Sequence, residues 1–169
     1  MDWTQHLSGL QARDGEARGP EVATVLVAAV GSTNDLARRI AREYLEEAEA
    51  VPSAWVVAQE QLAGRGRRQR RWSSPHGGIY LTRLLPLERA ENLAALPMLI
   101  PVVLTEILDL HLQGRCRLKW PNDLMVEGAK LGGVLIEALT RSSGTVIALV
   151  GMGINYKTPW LEPGLPEAP

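Results

Sequence analysis

Apolar and polar positions along the chain change period several times, and each change marks an element. Glu21 to Val30 (EVATVLVAAV) is a continuous apolar, partly β-branched run that ends at Gly31, the pattern of a buried strand. Ser32-Thr33-Asn34-Asp35 follows, and then Leu36, Ile40 and Tyr44 recur at helical spacing with Ala37, Ala41 and Ala48 beside them. This predicts strand, turn and helix, and Ser32 with Asp35 has the spacing of a capping box. Trp55 to Ala58 and Gly78 to Leu85 (GIYLTRLL) read as strands, the second entered through a bend at Pro75, Gly77 and Gly78. Glu88 to Gln113 is mostly apolar, with helical periodicity from Met98 through Val102, Val103, Ile107 and Leu110. Pro97 suits a first turn, whereas Pro101 is expected to delay or kink this helix. Arg117 to Trp120 forms a short strand, and Leu124 to Val126 with Lys130 to Leu139 forms a hairpin about Glu127-Gly128. In that hairpin Met125 would pair with Lys130, and Asp123 would lie on the same face one diagonal step away. Thr145 to Val150 is the last apolar strand, ending in Gly151-Met152-Gly153-Ile154-Asn155.

Strands outnumber helices and several connections are of hairpin type. The expected fold class is therefore α+β: a mixed, largely antiparallel sheet flanked by helices. The expected layout is a polar entry segment 1–20, one domain over 21–155 and a proline-rich tail 156–169. A doubly wound nucleotide fold is disfavoured, since there is no GxxxxGK[ST] and Gly151-Met152-Gly153 is only a fragment of a dinucleotide fingerprint.

Charge changes the picture at one place. The chain holds 18 Lys and Arg against 19 Asp and Glu, and five of those cations lie within Arg65 to Arg71. The remainder of the chain is acidic, so positive charge is local. A nucleic-acid binder usually spreads its cations over a face or helix and adds stacking aromatics. Here aromatic content is 5% with no phenylalanine, and nucleic acid is not an expected partner. The stretch Gln61 to Trp72, QLAGRGRRQRRW, interleaves the arginines with glycines between two strands. Glycine lets backbone N–H groups approach a ligand, and the guanidinium fork matches phosphate or carboxylate oxygens. A loop so built suits a small anion. The single cysteine, Cys116, excludes an internal disulfide and suits packing in a reducing cytoplasm. No apolar run approaches the ~20 residues of a membrane span, so neither membrane insertion nor a signal peptide is expected.

Four separated motifs stand in one order: GSTND from Gly31, GRGRRQRRW from Gly64, KWPND from Lys119 with KLGGVLIE from Lys130, and GMGIN from Gly151. Together they resemble the biotin protein ligases, from about Val27 to Asn155. That resemblance implies a catalytic domain similar to class II aminoacyl-tRNA synthetases. It also implies an enzyme that adenylates biotin with ATP and Mg²⁺ and transfers it to a lysine of a biotin carboxyl carrier domain. Carried over by motif, Ser32, Thr33 and Asn34 would border the biotin pocket and Gln61 would bond the head group. Arg65, Gly66 and Arg67 would wrap the carboxylate and the phosphate attached to it, with Lys130 as the catalytic lysine beside Arg65 and Arg67. Lys119, Asn122 and Asp123 would lie on the ATP side, Asp123 holding the metal, and Trp72 and Asn155 would lie near the adenine. Two positions depart from the pattern: Gln69 stands where a further glycine is usual, and Leu62 where a small polar residue is common. The family's C-terminal domain and the N-terminal DNA-binding domain of some members are expected to be missing from this sequence. A non-catalytic module binding biotin or its adenylate is therefore one alternative, and lipoate or octanoyl ligation is another. A homodimer stays open.

Overall fold

β1 (Ala23–Val30) runs straight into α1 (Thr33–Glu46), and the chain returns through β2 (Ala54–Gln61) parallel to β1. After the arginine loop come β3 (Ile79–Leu87), α2 (Leu96–Leu112), β4 (Cys116–Lys119), β5 (Asp123–Val126), β6 (Ala129–Thr140) and β7 (Val146–Ile154). In this computed structural model, residues 22–46, 51–140 and 144–156 are described. The expected entry segment, the tail beyond Tyr156, Ala48 and the Ser142-Ser143 turn lie outside them. All seven strands join one sheet in the order β1-β2-β3-β7-β6-β5-β4, and only β1–β2 is parallel. The mixed, largely antiparallel sheet expected from the pattern is therefore the fold.

The two helices cover opposite faces, and the alternation along β7 proves it. Ile147 and Leu149 pack in one cluster with Leu36, Ile40, Val56 and Leu84. Ala148 and Val150, one residue out of phase, pack in another with Val134, Leu96, Ile100 and Leu104. α1 is amphipathic and buries Leu36, Ala37, Ile40 and Ala41. α2 is mostly apolar, with Glu106 and Asp109 in its second half, and buries only Pro101, while Met98, Leu99, Val102, Val103, Ile107 and Leu110 are exposed.

Three expectations need correction. α2 begins at Leu96 and is not delayed by Pro101. Only one intrahelical donor is lost at that position, and the Thr105 hydroxyl donates to the Pro101 carbonyl at 2.7 Å. Upstream, Ala90–Ala94 is a 3₁₀ turn and not part of the helix. Gly151 to Ile154 continue β7 as strand, because both neighbours, β3 and β6, extend far enough to pair with them.

The hairpin forms about Glu127 and Gly128, whose φ angles of 51° and 84° are both left-handed as a tight two-residue turn requires. Met125 faces Lys130, as expected. The register then shifts between Leu124 and Met125, so that Leu124 faces Gly132 and Asp123 faces Gly133. Leu131 is the extra residue of this bulge. One extra residue reverses which side chains point to which face. Lys130 thereby shares the α1 face with Gly133, which uninterrupted alternation along β6 would have denied it, and stays on the face of Asp123 as its pairing with Met125 predicts.

Candidate active site

On the α1 face, beyond the helix N-terminus, a cavity of about 360 Å³ opens over β6 and β7. One wall is neutral and buried. Ser32 precedes α1 and Thr33 and Asn34 open it, and all three are less than 5% exposed. The Thr33 N–H, a donor that a helix start leaves without an internal partner, goes to Gln61 Oε1 at 2.8 Å, and the Thr33 hydroxyl lies 3.1 Å from the same oxygen. Gln61 thus reaches from the end of β2 to cap α1, and its amide nitrogen donates to Ser74 Oγ at 2.8 Å. The Thr82 hydroxyl, fully buried on β3, lies 2.6 Å from Asn34 Oδ1 and 2.9 Å from Thr33 Oγ1. The side chains of Thr33, Asn34, Gln61, Ser74 and Thr82 thus all have partners inside the protein, as burial demands.

Glycine makes room for it. A Cβ at Gly151 would stand 2.3 Å from Asn34 Oδ1, and one at Gly153 would stand 2.7 Å from Trp72 Nε1. The GMGIN glycines are seats for Asn34 and Trp72 on the floor of the cavity.

The other wall is charged. The arginine loop leaves β2 with the N–H groups of Leu62 and Ala63 donating to the carbonyls of Val30 and Gly31, both at 2.8 Å. It re-enters the sheet beside Tyr80, whose hydroxyl donates to the Pro75 carbonyl at 2.8 Å. Burial pushes that phenol up to about 12. Between these anchors Arg65 bridges Arg71, and the Gly66 N–H donates to the Arg70 carbonyl at 2.7 Å. The tip holds Arg68 and Gln69 at φ 55° and 60°, left-handed values that cost a side chain about 1 kcal/mol each. Arg67 Nη1 donates to Asn122 Oδ1 at 3.0 Å, bringing the loop onto the KWPND turn. That turn is held to β6 twice: the Asn122 amide donates to the Val134 carbonyl at 3.0 Å, and the Val134 N–H donates to the Asn122 carbonyl at 3.1 Å. Lys130 Nζ stands 2.9 Å from Asp123 Oδ1 and 5.0 Å from the centre of the Trp72 ring.

Arg65 is engaged differently from the rest of its loop. Its two terminal nitrogens donate to the two oxygens of Glu137 at 3.1 and 3.0 Å, and Nη2 also meets Asp35 Oδ1 at 2.6 Å. Glu137 Oε2 accepts from Asn34 at 2.9 Å, and Arg38 stands 3.3 Å from Oε1. Burial alone would raise the Glu137 carboxyl, but the hydrogen bonds from Asn34 and Arg65 and the charges of Arg65 and Arg38 outweigh it and hold it below 4.5.

Of the residues singled out from the sequence, Ser32, Thr33, Asn34 and Gln61 line the neutral side of this one cavity. Arg65, Gly66, Arg67, Trp72, Asn122, Asp123 and Lys130 line the rest. Lys119 and Asn155 do not. Lys119 is exposed at the end of β4 opposite Asp123, and Asn155 braces the bulge, donating from its side chain to the Lys130 carbonyl at 3.1 Å and from its N–H to the Leu131 carbonyl at 2.7 Å. The Ser32–Asp35 capping box does not operate through Asp35, which turns to Arg65 instead. Sequence reasoning missed Thr82, Ser74 and Glu137. Only Glu137 carried a signal, as the last residue of KLGGVLIE.

Residues 27–155 match the Biotin/lipoate A/B protein ligase family. A biotin–[acetyl-CoA-carboxylase] ligase of Paracoccus denitrificans is 41% identical over 106 residues, covering 61% of this chain and 44% of that protein. The bifunctional ligase/repressor BirA of Escherichia coli (strain K12) is 39% identical over 101 residues, covering 59% of this chain and 32% of BirA. The match thus takes in less than half the length of either relative. Among solved structures, the biotin protein ligase of Leishmania major in complex with biotinyl-5-AMP aligns with a TM-score of 0.65 and 28% identity, covering 83% of this chain and 59% of that one. The biotin protein ligase of Aquifex aeolicus in complex with biotin and ATP aligns with a TM-score of 0.56 and 31% identity, covering 85% and 55%.

Proposed function

Because this chain belongs to the Biotin/lipoate A/B protein ligase family, we propose that its cavity activates biotin with ATP and passes it to a lysine of a biotin carboxyl carrier domain. One observation carries this reading: a neutral, internally hydrogen-bonded wall and a strongly cationic wall face each other across a single cavity. A substrate with an uncharged polar head and an anionic tail fits that division. Relatives solved with biotin, ATP and biotinyl-5-AMP supply the chemical identity of such a substrate.

In the first step a carboxylate oxygen of biotin attacks the α-phosphorus of ATP. The new P–O bond forms as the bond to the bridging oxygen breaks, and pyrophosphate departs with that electron pair. Two anions must approach, so the site has to neutralise charge without offering a competing nucleophile. Lys130 sits where it can do so, since its partner Asp123 and the Trp72 face hold the ammonium at the cavity wall. Arg67, tied only to the neutral Asn122, keeps its charge for the phosphate. No cluster of three metal-ligating side chains occurs among the described residues. Mg²⁺ fits Asp123 on those terms, as an ion that takes one protein carboxylate and fills its shell with phosphate oxygens and water. Its contribution would be to shield phosphate charge. In the second step the carrier's lysine amine, as the free base, attacks the acyl carbon. The amide forms, AMP leaves with the electron pair of the broken C–O bond, and the amine proton goes to solvent. Closure of the arginine loop over the mixed anhydride keeps water from competing.

The test is biotin-dependent exchange of pyrophosphate into ATP, followed by biotinylation of a carrier domain read by streptavidin blot. Exchange together with transfer is the expected result. Biotin binding without exchange would identify a non-catalytic binding module, and no biotin binding would overturn the reading.

A further inference from the structure

We propose that Glu137 is a positioning residue that holds the arginine loop in register with the start of α1, acting through Arg65. The inference deepens the ligase reading of this cavity, but its first readout does not depend on it. Glu137 lies on β6, seven residues beyond Lys130, and meets three side chains from two elements: it accepts from Asn34 at the head of α1, pairs with Arg38 one turn on, and accepts from Arg65 at the base of the loop. The Arg65 pair is bidentate, the geometry that fixes a guanidinium in orientation as well as distance. Its carboxylate is 21% exposed against 55% for Asp35, the other anion on Arg65, so Glu137 is the better screened and stronger of the two anchors.

The charge balance says what Arg65 is for. Arg65 and Arg38 are matched by Glu137 and Asp35, and this group presents no net charge to a ligand. Arg67, bonded to the neutral Asn122, remains a cation directed at the cavity without a carboxylate partner, with Arg68 and Arg70 and the Asp123-paired Lys130 beside it in the lining. Arg65 is therefore the pin of the loop, and Glu137 is what it is pinned to. Without Glu137, Arg65 loses its better screened anion and the base of the loop is released from the α1 start.

Limited trypsin digestion of the ligand-free protein reads loop register directly, because Arg67, Arg68, Arg70 and Arg71 are cleavage sites. Glu137→Gln keeps size and the Asn34 contact but removes the charge; cleavage at those sites should rise about tenfold, the loss expected for a charge-assisted bond pair. Glu137→Asp should recover much of the protection. In pyrophosphate exchange, Glu137→Gln should raise the KM for biotin about tenfold while kcat stays within about threefold. Should Glu137→Gln fail to fold, Arg65→Gln removes the pin from the exposed side, and cleavage at the remaining sites should rise equally. Wild-type cleavage in the folded variants overturns the proposal, as does a fall in melting temperature without any change in loop cleavage or KM. A wild-type protein that does not bind biotin would sink the ligase reading yet leave the proteolysis result to decide Glu137.

Discussion

The two walls of the cavity are built on opposite plans. Ser32, Thr33, Asn34, Ser74 and Thr82 are all less than 5% exposed, and the last four exchange hydrogen bonds among themselves and with Gln61. The facing arginine loop is exposed from Arg67 to Arg71, carries two residues in left-handed conformations and is tied to the body by Arg65 and Arg67. Neutral donors and acceptors can satisfy one another in the folded protein before any ligand arrives, whereas a cluster of like charges cannot. The neutral wall should thus be rigid and matter for stability and for recognising the head of the substrate. The cationic wall should be loose and matter for rate.

The largest effect should come from the charged side. Lys130→Ala should lower pyrophosphate exchange by about 10²–10³, the usual loss for one contact to developing charge, with biotin binding reduced far less. Near-normal exchange in that variant would mean the reacting phosphate does not meet this wall. On the neutral side, Thr82→Val preserves shape but strips Asn34 Oδ1 of its buried hydroxyl donor and Thr33 Oγ1 of a hydrogen-bonding neighbour. Urea unfolding should register a loss of about 1–3 kcal/mol. A variant as stable as wild type would contradict the idea of a pre-satisfied wall.

Ligand should narrow the contrast. Trypsin should cut between Arg67 and Arg71 several times more slowly once biotinyl-adenylate supplies the missing anion, and unchanged cleavage would make the loop a passive basic patch. Acid should loosen it. Glu137 titrates below its unfolded value, so its contribution to stability is fully present above pH 4.5 and is lost as pH falls through the depressed folded value. The stability gap between wild type and Glu137→Gln should accordingly be full at pH 6 and close in acid, as followed by thermal melts. The smallest change belongs to Gln69→Gly. Relief of the left-handed strain at φ 60° and the added freedom of glycine in the unfolded chain oppose each other, leaving a stability change below about 1 kcal/mol in the same melts.

Much of this molecule was legible from the chain alone, wherever the determining interaction is local. Apolar periodicity placed both helices and all seven strands to within a few residues, apart from the true start of α2 and the extension of β7 through Gly151 to Ile154. The Glu127-Gly128 turn sets the Met125–Lys130 pairing across a handful of residues, and arginine density marks the loop without any knowledge of its partners. Tertiary structure alone decided what those parts meet. Arg65 finds Glu137 across 72 positions and Asp35 across 30, and Thr82 reaches Asn34 across 48, through strand order and helix placement that no local pattern encodes. The same holds for Leu131, the one extra residue that turns Lys130 into the cavity. A bulge arises where two ladders, β5–β6 and β6–β7, must both be satisfied at once, and that condition exists only when the whole sheet is assembled.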